Sequence, residues 1–556
     1  MAALVAGTFF LAFGVLHYGV FTRKLLLDTP IYERYGDAVV HDGRLPYRDF
    51  PIEYPPGAIP VFVLPSLVSP AGDFTRYSQV FEVLMLACGA VASGLVGVLL
   101  ALERASPMRL VAGTLLAGLA PLALGPVVLS RFDLWPAALM IAGVTAVVAG
   151  RPRSGLALLG IAVAAKVYPV VVFPLAFAYI WRRHGRREAA VGAAVTGGVV
   201  AACLVPFLVL APDGVWSSFT GQARRPLQIE SLGASLVLAA HQAWGAAVTV
   251  TSSSGSDNLE GELPDAFAVA QSLLVAVALV ALWLAFMRGP ATPGRLLRYA
   301  VATVCAFAAL GKVLSPQYLI WLIPFVPVVR GRRGVAAACL FLAALVLTQL
   351  WFPSRYIDLV YGLDPRATWL VLARDLILVA LLLALALPAR RFGAAAVMAL
   401  VVPALAAMGA AAAASTSRAA GTHNGLLNAT GVSSSCRIAA RPPSASSGTV
   451  RYESAAFSNA SARRQCVTVT VRPAPGAQLF SAAYRERIDP ANPRARYLGD
   501  SGTCTNIARG RPARLQYSFV VRRRSRFVVE VEPCATVEVP VYELEVRGLN
   551  VRRLSR

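Results

Sequence analysis

Charge is what this 556-residue chain has least of. Only 15% of its residues are charged, where an average soluble domain carries about a quarter. Hydrophobic residues reach 57% and mean hydropathy is +0.61, so most of the chain is built to dissolve in lipid. Also absent are a GxxxxGK phosphate loop, an HExxH pair and any CxxC pair, which argues against an ATP-driven pump and a zinc hydrolase. The first apolar run, MAALVAGTFFLAFGVLHYGVF, lacks a basic leader and a small-residue cleavage site. It therefore reads as a retained first span. Lysine is scarce beside arginine, a matter of composition alone.

Apolar runs such as residues 80–102 reach the roughly 20 residues a bilayer crossing needs, and many follow one another. Basic clusters at 103–109, 151–153, 182–188, 287–298, 330–333 and 389–391 are assigned to the cytoplasmic side. Loops 23–56, 212–263 and 353–366, acidic or mixed, are assigned outside. Residues 155–181 then have basic loops at both ends, which one straight helix cannot satisfy. A hairpin turning at Lys166-Val167-Tyr168-Pro169 resolves this, because the residue before a proline disfavours helix. Residues 298–330 repeat the construction around Lys312. The expectation is a mostly α, polytopic fold of about 13 spans in the plasma membrane. Its amino terminus is cytoplasmic and both lysine tips point outward.

After a last run at 392–414 the composition changes. Residues 415–435 read as a polar linker, and 436–556 carry period-two alternation in QCVTVTVRP, ARLQYSFVVRR and SRFVVEVEP. An extracytoplasmic β-sandwich is expected there. Cys436, Cys466, Cys504 and Cys534 fall in this part and allow three pairings, and disulfides would place it in an oxidising compartment. Cys88, Cys203, Cys305 and Cys339 lie in apolar runs and read as small buried hydrophobes. Residues 415–556 hold 22 Arg against 9 Asp or Glu, a net of +13. That excess suits an anionic lipid or cell-envelope surface, and an outside location sets nucleic acid aside.

The first outer loop is the densest in chemistry. It interleaves Asp28, Asp37, Asp42, Asp49 and Glu53 with Tyr32, Tyr35, Tyr47 and Tyr54. Carboxylates accept bonds from sugar hydroxyls and aromatic faces cover a sugar ring, although a solvated acidic loop would have the same composition. Asp28 stands apart because it follows the first span, where partial desolvation suits a general base. Arg131 and Asp133 occupy a short outer turn. There an Arg can fork onto a phosphate, or the two can hold helices together as an ion pair. Lys166 and Lys312, at hairpin tips, are costly near membrane depth unless they meet an anion or snorkel to the headgroups. Gln228 and Glu230 suit sugar hydroxyls. His241 reads as a packing residue.

The order Asp28, Tyr32, Gly43, Pro46-Tyr47, Asp49 and Glu53-Tyr54-Pro55-Pro56 resembles the first loop of glycosyltransferase family 87. SRFDLWPA (130–137), AAKVYP (164–169), RRPLQIESLGASL (224–236) and LSPQYLIWLIP (314–324) extend the resemblance across most of residues 1–390. It implies a GT-C-like transmembrane glycosyltransferase domain, residues 1–414, that uses a polyprenyl-phosphate-mannose donor. Asp28 carries over as the general base, with Asp37 as the alternative. Arg131, Lys166 and Lys312 are expected on the donor phosphate. Tyr32, Asp49, Glu53, Tyr54, Asp133, Tyr168, Gln228, Glu230 and Gln317 are expected on the sugar or on a glycolipid or cell-envelope glycan acceptor. No cofactor is implied, and no metal is required where cations neutralise the phosphate, although the acidic loop leaves room for a divalent ion. The resemblance does not reach the tail. A lipid flippase or transporter, and a membrane anchor that displays the tail, are the rival readings.

Overall fold

A computed structural model describes residues 2–18, 27–253, 255–387, 419–427, 444–473, 479–487, 496–501, 515–533, 542–547 and 551–553. The chain divides into two compact units, Met1–Ala410 and Ala411–Arg556.

In the first unit, six helices among the described residues are long and apolar enough to cross a membrane. They are Phe74–Leu102, Pro107–Leu124, Arg186–Leu210, Glu262–Met287, Gly331–Trp351 and Pro365–Ala386. The chain is a multi-pass membrane protein. The expected count of about 13 spans includes the short arms of the two hairpins. Pro152–Ala165 has 14 residues, about 21 Å of helix against a hydrocarbon core of about 30 Å. The expected run at 392–414 lies outside the described residues.

Small residues set the packing of the amino-terminal helix, Ala2–His17. Phe9 lies against Gly89 and Thr8 against Gly118, so this helix approaches both Phe74–Leu102 and Pro107–Leu124. A Cβ at Gly89 would fall on the Phe9 ring, and such small-residue contacts are how helices close on one another in lipid.

The run 155–181 breaks where its proline dictates. Lys166 is extended (φ −158°, ψ 138°), and a 3-10 segment, Tyr168–Val172, leads into the helix Phe173–His184. The second hairpin has the same rising arm, Pro293–Leu310, but a different return. YLIWLIPFVPVV, expected as helix, forms the 3-10 turns Pro316–Leu322 and Val326–Val328. Pro324 and Pro327 each remove a backbone donor that a continuous α-helix would need.

These connections sort charge along the unit. Helix Leu134–Val148 begins beside Arg131 and Asp133 and ends before Arg151 and Arg153, and Pro152–Ala165 returns to Lys166. At the end shared with Arg151, the basic loops hold one another: Arg330 donates to the Glu103 carbonyl at 2.6 Å, and Arg109 to the Val328 carbonyl at 2.6 Å. The candidate residues gather at the other end. Part of the first loop there is helical, Thr29–Val40, with Pro30 in its first turn. A small sheet of Leu227–Gln228, Ser256–Glu260 and Thr249–Ser253, in that order, adjoins it in the chain's middle loop.

The second unit is two antiparallel sheets. One runs Val551–Arg553, Ser444–Asn459, Arg526–Pro533, Leu479–Arg485, Tyr497–Asp500. The other runs Tyr542–Arg547, Gln465–Pro473, Leu515–Val521. Period-two faces meet in one core: Val467, Val469, Val471 and Phe519 from the smaller sheet pack with Phe457, Ala483, Phe527 and Val529 from the larger. Ala419–Leu427, inside the stretch expected to be linker, pairs with Ser444–Asn459 as a further strand. Cys436, Cys504 and Cys534 lie outside the described residues, and the expected disulfide pairing lies there with them.

Candidate active site

Two aspartates begin helices without capping them. Asp at an N-cap ordinarily accepts from the backbone N–H groups of the first turn. Asp28 precedes Thr29–Val40 and Asp133 precedes Leu134–Val148, and neither side chain makes that bond. Each is turned to a cation instead. Asp28 pairs with Arg131, which is extended at the end of the short helix Val127–Ser130 and buried. Asp133 Oδ1 accepts from Lys166 Nζ at 2.6 Å and from Trp321 Nε1 at 2.6 Å. One tripeptide, Arg131-Phe132-Asp133, thus ties together the first loop, the tip of the first hairpin and the returning arm of the second.

Aromatic rings hold the assembly. Tyr32, one turn after Asp28, stacks on Phe62 with centroids 4.7 Å apart, and its hydroxyl lies 3.4 Å from Asp28 Oδ2. Tyr168 lies flat on Trp321 at 3.8 Å. Lys166 Nζ is enclosed by the rings of Phe132, Trp321, Tyr318 and Tyr54, at 4.7, 5.4, 5.7 and 6.0 Å. An ammonium held by a carboxylate and ring faces is already satisfied. Lys166 therefore braces the turn and does not line the adjoining cavity.

That cavity, about 560 Å³, has Asp28 and Arg131 on one wall and Gln228, Glu230, Ser315 and Gln317 on another. Gln228 Nε2 donates to Glu230 Oε2 at 2.7 Å and to Ser315 Oγ at 2.8 Å. The third wall is the Thr249–Glu260 hairpin, which presents Ser252, Ser253, Ser256 and Asp257. Asp257 is fixed by Ser252 Oγ and by the Tyr356 hydroxyl at 2.8 Å, and its carbonyl accepts from Ile229 N at 3.0 Å. Behind Glu230, Arg374 Nη2 donates to the Glu230 carbonyl at 2.7 Å while its Nε pairs with Asp375 at 2.7 Å, both side chains fully buried.

The remaining expected residues are placed apart from one another. Lys312 Nζ donates to the Ala223 carbonyl at 2.9 Å, and its own carbonyl accepts from Gln228 N at 3.0 Å. Lys312 does not line the cavity either, and among the described residues its ammonium makes no other hydrogen bond. Asp37, the alternative base, accepts from Ser66 Oγ at 2.7 Å and Gly72 N at 2.9 Å, so it braces a loop outside the cavity. Asp49 is exposed and is held down to about 2 by its hydrogen bond from Arg48 and by the Leu45 N–H. Glu53 is raised by burial, and Tyr54 joins the ring cluster around Phe62 and Phe132. His241 Nδ1 lies 2.7 Å from the Ala246 carbonyl, a packing role. Among the described residues no group of three His, Cys, Asp or Glu is placed to hold a metal ion.

Asp257, Tyr356 and Arg374 escaped the sequence reading. Arg374-Asp375 inside LVLARDLILVA carried a usable signal, since an ionisable pair in an apolar run marks a site by its cost. SSSGSDN carried none.

Burial pushes Glu230 up to about 8, against the pull of Arg374 and Arg131. The folded protein thus holds a proton there that the unfolded chain releases near pH 4.5, and the contribution of this group to stability falls as pH rises from about 4.5 to about 8. Above that, a carboxylate also faces the cavity. Thermal denaturation across this range should show a fall in midpoint that Glu230→Gln removes. Identical pH profiles for the two proteins would show that Glu230 does not titrate there.

Residues 52–316 match glycosyltransferase family 87. Two solved structures are similar to the chain. ArnT from Cupriavidus metallidurans, bound to undecaprenyl phosphate, shares 16% identity over 74% of each chain, with a TM-score of 0.39. The arabinosyltransferase EmbB from Mycobacterium smegmatis shares 13% identity over 99% of this chain and 64% of its own, with a TM-score of 0.34. No curated protein matches.

Proposed function

We propose that this membrane protein, whose residues 52–316 match glycosyltransferase family 87, moves a sugar, mannose, from a polyprenyl-phosphate carrier to an acceptor hydroxyl on the extracytoplasmic face. The observation that carries the reading is the Asp28–Arg131 pair on one wall of a polar cavity. A phosphate donor competes with Asp28 for the guanidinium, which can fork onto either anion. The donor then frees the base it needs.

In the transfer step the acceptor oxygen attacks the anomeric carbon while the bond from that carbon to the phosphate oxygen breaks. Asp28 takes the acceptor proton. The electron pair leaves with the polyprenyl phosphate, which gains one negative charge. Attack opposite the leaving group inverts the anomeric centre. Arg131 and Lys312 stabilise the growing charge, while Lys166 and Asp133 act through the turn that positions Arg131. The serine-rich hairpin, with Gln228 and Gln317, offers donors and acceptors to a polyhydroxylated acceptor, a glycolipid or an envelope glycan.

The test is full-length protein reconstituted in lipid with synthetic polyprenyl-phosphate mannose and a panel of glycoside acceptors, reading donor consumed and glycoside formed. Transport across vesicles without donor consumption would overturn the reading in favour of a flippase. Lys312→Ala is expected to raise the donor KM about tenfold, the weight of one charge-assisted bond, with little change in the acceptor KM. An equal rise in both would make Lys312 structural.

A further inference from the structure

Among the described residues, seven arginines of the carboxy-terminal unit meet at one end of its sandwich. The turn between Ser444–Asn459 and Gln465–Pro473 carries Arg463 and Arg464, and the turn between Leu515–Val521 and Arg526–Pro533 carries Arg522, Arg523 and Arg524. Strand pairing brings these turns together with the end of Leu479–Arg485: Gln465 faces Val521, Arg526 faces Ser458, and Phe527 faces Arg485. Arg464, Arg485, Arg522 and Arg526 line a pocket of about 210 Å³ floored by Val520, Val521 and Leu498.

Like charges at such spacing repel, and a fold that only needed solubility would spread them or pair them. Among the described residues none of these four arginines has an ion-pair partner. Glu486, whose N–H bonds the Arg526 carbonyl, has its carboxylate paired with Arg496 at 3.3 Å. The turns are also fixed in advance. Asn459 is fully buried, and its Nδ2 donates to the carbonyls of Arg463 at 2.9 Å and Arg522 at 3.0 Å. Its Oδ1 accepts from Ser461 N at 2.9 Å, so one side chain locks both arginine turns to each other. Ser525 Oγ adds a bond to the Arg522 carbonyl at 2.7 Å. A preorganised, uncompensated arginine cluster around a small pocket is an anion site, and guanidinium forks match phosphate oxygens best.

We infer that this end of the carboxy-terminal unit binds the phosphate of anionic phospholipid headgroups. A lipid source is favoured because the unit is carried on a multi-pass membrane chain, which keeps it beside headgroups at high effective concentration. Near an anionic surface each arginine is worth about a fivefold change in affinity. Inorganic phosphate shares the chemistry without the surface.

Hydrogen exchange of the full-length protein in nanodiscs reads this directly. Discs containing phosphatidylglycerol are expected to slow exchange in 459–464 and 521–526 relative to phosphatidylcholine discs, with high salt reversing the effect. A variant carrying Arg464→Gln, Arg522→Gln and Arg526→Gln should lose the difference while the core strands 467–471 stay protected, which shows that it is folded. Slowing by inorganic phosphate in phosphatidylcholine discs, with no added effect of phosphatidylglycerol, would keep the phosphate site and remove the lipid. Equal exchange under all conditions, or slowing by an oligonucleotide alone, would overturn the proposal. None of these outcomes depends on glycosyl transfer.

Discussion

Asp28→Asn should reduce transfer by about 10²–10⁴-fold, the usual weight of a positioned general base. The amide is nearly isosteric with the carboxylate but cannot take the acceptor proton. The substitution also removes the carboxylate paired with Arg131, which is buried and keeps Asp133 as a nearby opposite charge. Loss of activity alone is therefore ambiguous, and two readings separate the causes. If Asp28 is the base, donor binding survives or strengthens in the variant, because the phosphate no longer competes with a carboxylate for the guanidinium. If Asp28 only holds Arg131 in place, donor binding weakens along with turnover. The pair of measurements is the donor dissociation constant, read with a non-transferable polyprenyl phosphate, and the rate with saturating donor. Full transfer activity in Asp28→Asn would remove the residue from the mechanism. Asp37→Asn makes the useful comparison, since Asp37 bonds Ser66 and Gly72 outside the cavity and should act on stability.

The parts of this architecture that depend on local rules were legible in the sequence. Apolar runs marked the membrane unit, and period-two alternation marked the β-sandwich. The break at Lys166 followed from loop charge and a proline. What depends on tertiary placement was not legible. Lys166 reads as a phosphate ligand because an ammonium near the membrane needs an anion. The anion that meets it is Asp133, 33 positions back, and the rings that enclose it come from that same segment and from two others. The same chemistry that made it conspicuous satisfies it internally. The returning arm of the second hairpin failed for a local reason: Pro324 and Pro327 outweighed an apolar pattern that reads equally well as helix. Among the acidic residues of the first loop, composition did not distinguish Asp28 from Asp37 and Asp49, and position after the first span did. Their partners differ too: a buried guanidinium for the first, Ser66 and Gly72 for Asp37, and Arg48 and Leu45 for Asp49.

The second large effect is expected at a pair that touches no substrate. Arg374 and Asp375 lie about 14 Å along the apolar helix Pro365–Ala386, taking 1.5 Å per residue. Both are fully buried, and the guanidinium also faces the Trp351 ring at 5.6 Å. Removing one partner leaves a charge in low dielectric without compensation. Arg374→Met and Asp375→Leu should therefore each cost about 3–5 kcal/mol. The double variant removes both charges at once and should recover most of that loss, since a buried pair is often replaceable by apolar residues of similar volume. Thermal unfolding of the four proteins in one detergent forms a cycle that reads the coupling, and additive losses would mean the pair is not a unit. The site adds a sharper reading. Arg374 alone reaches the Glu230 carbonyl, so the double variant should regain stability without regaining activity: the Gln228–Glu230 wall loses the bond that fixes its backbone. Full recovery of both would assign the arginine to folding only. Recovery of stability with a raised acceptor KM would show that a charge pair buried in a membrane helix sets the geometry of the cavity wall.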